Sequence, residues 1–267
     1  MHVRPHLEFG DIIFHNCAEY LMDMIESIQY QAGLIATGCW QKTSRVKLYE
    51  ELGWESLSSR RSSRRLIAYH KIHSNNAPAY LSEYVLIEPP PSNCSDRYKR
   101  TFFPDCFSNW QTLDPDLKSL DPSKFKSSVI KSSRPSKKDC FNVSDRYGLK
   151  LLTCLRVEHS DLRAHRFSKN FNCSDPMCAC GIEDETIDHY LLRCPLFAGP
   201  RALLLNKMNE IFQTNVISEI DNICNVLLYG YPVFCESENK LILTNTIGFI
   251  KSSKRFKTLE AFVAVNE

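Results

Sequence analysis

Residues 178–194 read CACGIEDETIDHYLLRC. Cys178, Cys180, His189 and Cys194 stand there in the pattern C-x-C-x8-H-x4-C, three thiols and an imidazole. These are the donors that close the tetrahedral sphere of a structural Zn2+ site. With three sulfurs and one nitrogen no position is left for a catalytic water, so the zinc reading is structural. Gly181 permits the tight reversal that brings the C-x-C pair round to the histidine. The one-residue spacer is shorter than the usual two to four, which makes Cys173, in FNCSDPMC, an alternative ligand. His189 and Cys194 are five apart, about 140° on a helix, so one of them belongs at a helix end. The competing reading is packing, because buried free cysteine is common and the chain has 12 cysteines in 267 residues. Four of the 12 fall between 173 and 194 with a histidine before the last, and that clustering favours ligation.

Working outward, the composition is that of a folded chain: 43% hydrophobic, 24% charged and a net charge of only +2. Placement of charge therefore matters more than its sum. No apolar run is long enough to span a bilayer. The start, MHVRPHLEFGDIIFHN, lacks the basic region, apolar core and cleavage site of a secretory signal. The expected setting is intracellular and reducing, nucleus or cytoplasm, where cysteines are thiols or metal ligands rather than disulfides.

Apolar periodicity predicts a mainly α fold. Leu21, Ile25, Ile28, Ala32 and Ile35 recur at helical spacing from Ala18 to Thr37, with a stop at Gly38. A short helix is expected over 47–52, stopped by Gly53, and a third over 57–73. Residues 89–139, with PPP at 89–91 and SSRPSKKD at 132–139, are expected to be a partly extended connector, because proline breaks helices. One short helix around Trp110 is the exception. Beyond 139, helices are expected over 147–156, 189–196, 203–212 and 241–249, leading into the basic stretch KSSKRFK at 251–257.

SLSSRRSSRRLIAYHKIHS places Arg60, Arg61, Arg64 and Arg65 on one broad helical face, with Lys71 beyond. Such a stripe suits phosphate oxygens and is a footprint of nucleic-acid binding; Lys251, Lys254 and Arg255 add to it. The alternative is a solvated face whose arginines pair with Glu50, Glu51 or Glu55. No catalytic constellation stands beside these features. The chain has no adjacent aspartate pair of a polymerase, no G-x-x-x-x-G-K-[ST] loop, no G-x-S-x-G elbow and no H-E-x-x-H helix.

Several stretches resemble the region that follows the palm in non-LTR (LINE-type, jockey-like) retrotransposon reverse transcriptases. They are VRPHLEFGDIIFHN, ESIQYQAGLIATGCW, YEELGWESLSSRR, RLIAYHKI, APAYL, FFPDCFSNWQTLDPDLKSLDPSKFK, YGLKLLTCLRVEHSDLRAHRF and CACGIEDETIDHYLLRCPLF, with Arg201 and KSSKRF following in order. The resemblance implies a thumb-like helical region over 1–88, a connector over 89–139 and a helical C-terminal region over 140–267 carrying a zinc knuckle at 173–194. It also implies a grip on RNA or DNA through phosphate contacts, with the catalytic aspartates lying upstream and no activity in this part. Two other readings stand beside it: an accessory or degenerate nuclease or polymerase acting in trans, and a retrotransposon relic without selected function. In every case a thumb separated from its palm leaves an apolar face open to self-association.

Overall fold

The computed structural model describes residues 3–14, 17–133, 145–212 and 222–256. In chain order its helices begin with α1 (Val3–Glu8), α2 (Asp11–Phe14), α3 (Glu19–Thr37), α4 (Arg45–Leu52) and α5 (Leu57–His73). There follow α6 (Asp96–Lys99), α7 (Phe102–Gln111), α8 (Pro115–Lys118) and α9 (Pro122–Ser133). The remainder are α10 (Arg146–Arg156), α11 (Arg163–Ser168), α12 (Ala198–Phe212), α13 (Ile223–Tyr229) and α14 (Glu236–Ser252). Among the described residues no strand forms; a single antiparallel bridge joins Met177 and Asp184. The mainly α expectation is met. No described helix is long and apolar enough to cross a membrane.

The chain divides into two compact units, Met1–Gly33 with Leu52–Ser136, and Leu34–Glu51 with Lys137–Glu267. This partition differs from boundaries at 88 and 139, because residues 89–133 are not a partly extended connector. Four helices lie there, and the prolines begin them rather than break them. Pro115 and Pro122 occupy first-turn positions, where the missing N–H costs no hydrogen bond. Each follows an aspartate: Asp114 accepts from the Asp116 amide at 2.9 Å, and Asp121 from the Ser123 and Lys124 amides at 2.9 and 3.2 Å. The remainder of the Ser/Lys/Pro cluster (134–139), Cys140 and Lys257 lie outside the described residues.

In the first unit α5 is the central element. Ser56 caps it, its side chain accepting from the Ser59 amide at 3.1 Å. Its inner face packs Tyr69 against Cys106 and Trp110 of α7 and Phe125 and Val129 of α9. The buried His70 ring stacks on Phe125, with centroids 4.1 Å apart. The preceding α3 meets α5 through polar groups. Buried Glu26 accepts from the Leu57 amide at 2.9 Å, an anion at a helix N-terminus. Gln29 donates to the Glu55 carbonyl at 2.8 Å and accepts from Arg60. In exchange Tyr20, Leu21, Met24 and Ile28 of α3 are exposed.

In the second unit α14 is central, with Ile242, Leu243, Ile247 and Ile250 buried among residues of α10, α12 and α13. Gly148 on α10 lets that helix close on α14, since a Cβ there would run into the Ile247 side chain. Residues 34–51 join this unit through buried polar contacts. Arg156 donates to Glu51 and to the Leu228 carbonyl, both at 2.6 Å. Thr43 pairs with His159 at 2.5 Å, and Trp40 meets the His159 ring edge-on at 5.9 Å.

Candidate metal centre and basic cleft

The first half of the metal centre is a tight turn. The Gly181 amide donates to the Cys178 carbonyl and the Cys178 amide to the Glu183 carbonyl, both at 2.9 Å. Gly181 has φ +75°, a left-handed conformation that a side chain strains. The turn projects the Cys178 and Cys180 thiols toward the second half.

That second half is not an α-helix. Residues 189–193 form one wide turn, closed by the Cys194 amide donating to the His189 carbonyl at 2.7 Å, an i to i+5 bond. The extra residue removes most of the 140° offset of an α-helix and brings residues five apart to one side. Cys194 ends the turn, as the spacing requires. Its carbonyl and those of Tyr190 and Leu191 accept from the buried Arg201 guanidinium at 2.7, 3.4 and 2.9 Å, which satisfies carbonyls that a helix end leaves open.

The Cys178, Cys180 and Cys194 sulfurs and a His189 nitrogen all lie within 4.8 Å of one another. Cys178 and Cys194 sulfurs are 3.7 Å apart, and Cys180 Sγ lies 3.2 Å from His189 Nε2. Bonds of about 2.3 Å to sulfur and 2.0–2.1 Å to nitrogen place tetrahedral ligands roughly 3.5–3.8 Å apart. The cluster therefore has the donors and the dimensions to hold a metal ion. Cys173 lies outside it, its thiol facing the Asp175 carbonyl at 3.1 Å.

A carboxylate backs the centre. Glu183 accepts from His189 Nδ1 at 2.7 Å and from Arg193 Nε and Nη2 at 2.8 and 3.0 Å. Those bonds from Arg193 and His189 hold its carboxyl below the usual range. With the proton on Nδ1, the Nε2 lone pair faces the sulfurs. Burial pushes the Cys178 thiol up to about 12. Desolvation also opposes ionisation of Cys180, but the Ile182 amide and hydrogen bonds from Cys178, His189 and Cys194 outweigh it and bring that thiol down to about 7. The four residues that could hold the ion are those of the C-x-C-x8-H-x4-C pattern; Glu183 belongs to no such pattern, and its one signal in the sequence is a carboxylate between the C-x-C pair and the histidine.

The basic residues are divided rather than gathered on one face. The 100° step along α5 sends neighbouring arginines different ways. Arg61 and Arg65 are buried. Arg65 lies beside Asp105 at 3.0 Å, donates to the Ile12 and Thr101 carbonyls, and stacks on Phe102. Arg60 and Arg64 face a cleft of about 660 Å3 with Ile67, Lys71, Lys126 and Ile130. Both pair with Glu8 at 3.2 Å, and Arg64 also with Asp11. Lys71 and Lys126 are exposed at this cleft; Lys126, from α9, was not among the expected cations. Near the C-terminus, Arg255 is held by buried Glu185 at 2.5 and 2.6 Å and Lys251 by Asp145 at 2.9 Å, while Lys254 is exposed. Among the described residues the ion-pair partners of these basic side chains include Glu8, Asp11, Asp105, Asp145 and Glu185, while Glu51 pairs with Arg156.

No family model, no curated protein and no solved structure matches this chain.

Proposed function

We propose that this chain is a zinc-stabilised nucleic-acid-binding region, equivalent to the part of a LINE-type retrotransposon reverse transcriptase that runs from the thumb to the zinc knuckle. The observation that carries the reading is the Cys178–Cys180–His189–Cys194 cluster with Glu183 on the far side of the histidine. Cys178, Cys180, Cys194 and His189 Nε2 would hold the ion, and zinc supplies a redox-inert tetrahedral link. Its work is structural. It ties the 178–181 turn to the 189–194 turn and so fixes the surface around them. The thiol protons must leave on loading, and the lowered Cys180 thiol favours that step.

Nucleic-acid contact is assigned to the cleft along α5. Arg60 and Arg64 are balanced by Glu8 and Asp11, which leaves Lys71 and Lys126 to supply the attractive charge. Phosphate contacts of this kind give binding without sequence preference and with steep salt dependence. The exposed α3 face, with Tyr20, Met24 and Ile28, suits a partner surface or a second copy of the chain.

Metal content of the purified protein is the decisive test. About one zinc per chain, lost in Cys194→Ser, is expected. A metal-free protein that melts cooperatively would remove the reading's main support. RNA affinity measured from low to high salt tests the second part, and a flat response sinks it.

A further inference from the structure

Cys39 and Cys154 lie within the second unit and outside the metal centre, with their sulfurs 3.8 Å apart. Both are buried, at 7% and 5% exposure. Cys39 follows the α3 terminus and Gly38, whose φ of +67° ends that helix. Cys154 is on α10. The pair does not owe its closeness to a loose loop. Within the same short stretch, Trp40 rests on His159, Thr43 bonds His159 and Glu51 bonds Arg156. These contacts register residues 39–51 on the end of α10 and the residues just after it, and keep the sulfurs adjacent. The Lys150 stem crosses directly over Gly38, where a Cβ would have no room, and places a cation near the pair.

The two thiols are not equivalent. Cys154 donates its S–H to Cys39. That hydrogen bond lowers the Cys39 thiol, and the same contact with burial raises Cys154. Of the two, Cys39 is the sulfur that ionises more readily, the property that attack requires.

The geometry points to a reversible disulfide between Cys39 and Cys154, formed by a small hydroperoxide. The Cys39 thiolate attacks a peroxide oxygen; the S–O bond forms, the O–O bond breaks and hydroxide leaves. The Cys154 sulfur then attacks the Cys39 sulfenic acid. The S–S bond forms, the S–O bond breaks, and the departing oxygen leaves as water with the Cys154 proton. Two thiols give up two electrons and one hydrogen peroxide becomes two waters. Burial restricts the oxidant to a small molecule and disfavours bulky disulfides. The product is a covalent ring from residue 39 to residue 154 that encloses the whole Leu52–Ser136 stretch. A thiol reductant reverses it.

Cys178 and Cys194 are equally close, so the test uses protein loaded with zinc, which protects those sulfurs. The protein is treated with hydrogen peroxide, blocked with a maleimide, digested and mapped by mass spectrometry. The expected product is one peptide pair joining Cys39 to Cys154, two hydrogens lighter than the reduced pair. In Cys154→Ala, dimedone should trap sulfenic acid on Cys39. Recovery of both cysteines as maleimide adducts, while exposed Cys235 is oxidised, overturns the proposal. So does sulfenic acid trapped elsewhere than Cys39. The wild-type map decides the matter even where a variant fails to fold.

Discussion

His189 lies between Glu183 and Cys180: its Nδ1 is 2.7 Å from the Glu183 carboxylate and its Nε2 is 3.2 Å from the Cys180 sulfur. The carboxylate fixes the tautomer and the ring plane before any ion arrives. Glu183→Gln keeps an oxygen acceptor but removes the charge. Metal affinity, measured by competition with a chromophoric chelator, should fall by about 10- to 100-fold. Unchanged affinity would mean that the carboxylate serves Arg193 alone.

Metal removal should loosen one region and spare another. If the cluster holds zinc, the ion is the tie between the 178–181 turn and residues 189–194, and structural zinc sites contribute folding free energy directly. Treatment with a strong chelator should abolish amide-exchange protection around 176–201. Protection of the Tyr69–Trp110–Phe125 core, in the other unit, should persist. Uniform loss in both places would refute this.

Arg156 and Glu51 form an ion pair with side chains 0% and 2% exposed, and Arg156 also serves the Leu228 carbonyl. Removing one partner strands a buried charge. Glu51→Ala should cost about 3–5 kcal/mol, read from the urea midpoint. A cost below about 1 kcal/mol would show water reaching the site.

Burial brings the His165 imidazole down to about 4, and burial lowers His159 as well. The unfolded chain takes up these protons near 6.5, the folded chain only at lower pH. Stability is therefore full above about pH 6.5 and declines as the pH falls toward 4. From pH 7 to 5, His165 alone should cost about 2 kcal/mol. The difference between wild type and His165→Asn isolates this from proton-driven metal loss, which both share. Parallel pH profiles for the two proteins would count against it.

The helices were legible where apolar periodicity and capping agreed. Gly38 ends α3, and Leu57–His73 is α5 as expected. The cluster that could hold a metal ion was legible from donor chemistry and spacing, with Cys173 left there as an alternative. Three features were not. Asp114-Pro115 and Asp121-Pro122 start helices, and a proline reads as a breaker unless the preceding cap is weighed with it. The apolar stripe Leu21–Ile28 is exposed because α3 docks through Glu26 and Gln29, tertiary bonds that no local pattern encodes. The i to i+5 turn at His189 escaped because its closure depends on Arg201 binding the freed carbonyls, a long side chain acting from the next helix.

The division of the basic residues gives the last prediction. Lys71 and Lys126 are exposed on the cleft, whereas Arg61 and Arg65 are buried in the unit that presents it. If phosphate contacts are made in the cleft, Lys71→Ala with Lys126→Ala should weaken RNA binding alike for unrelated sequences. The slope of log affinity against log salt should fall by about two, one for each lost phosphate contact. The melting temperature should barely move, since neither lysine is buried. Arg65→Ala should do the reverse. It leaves Asp105 without its partner and two carbonyls without a donor, so it should lower stability while leaving the salt slope of the folded fraction intact. A double lysine variant that binds with the wild-type slope would place the nucleic-acid surface elsewhere, with exposed Lys254 the next residue to test.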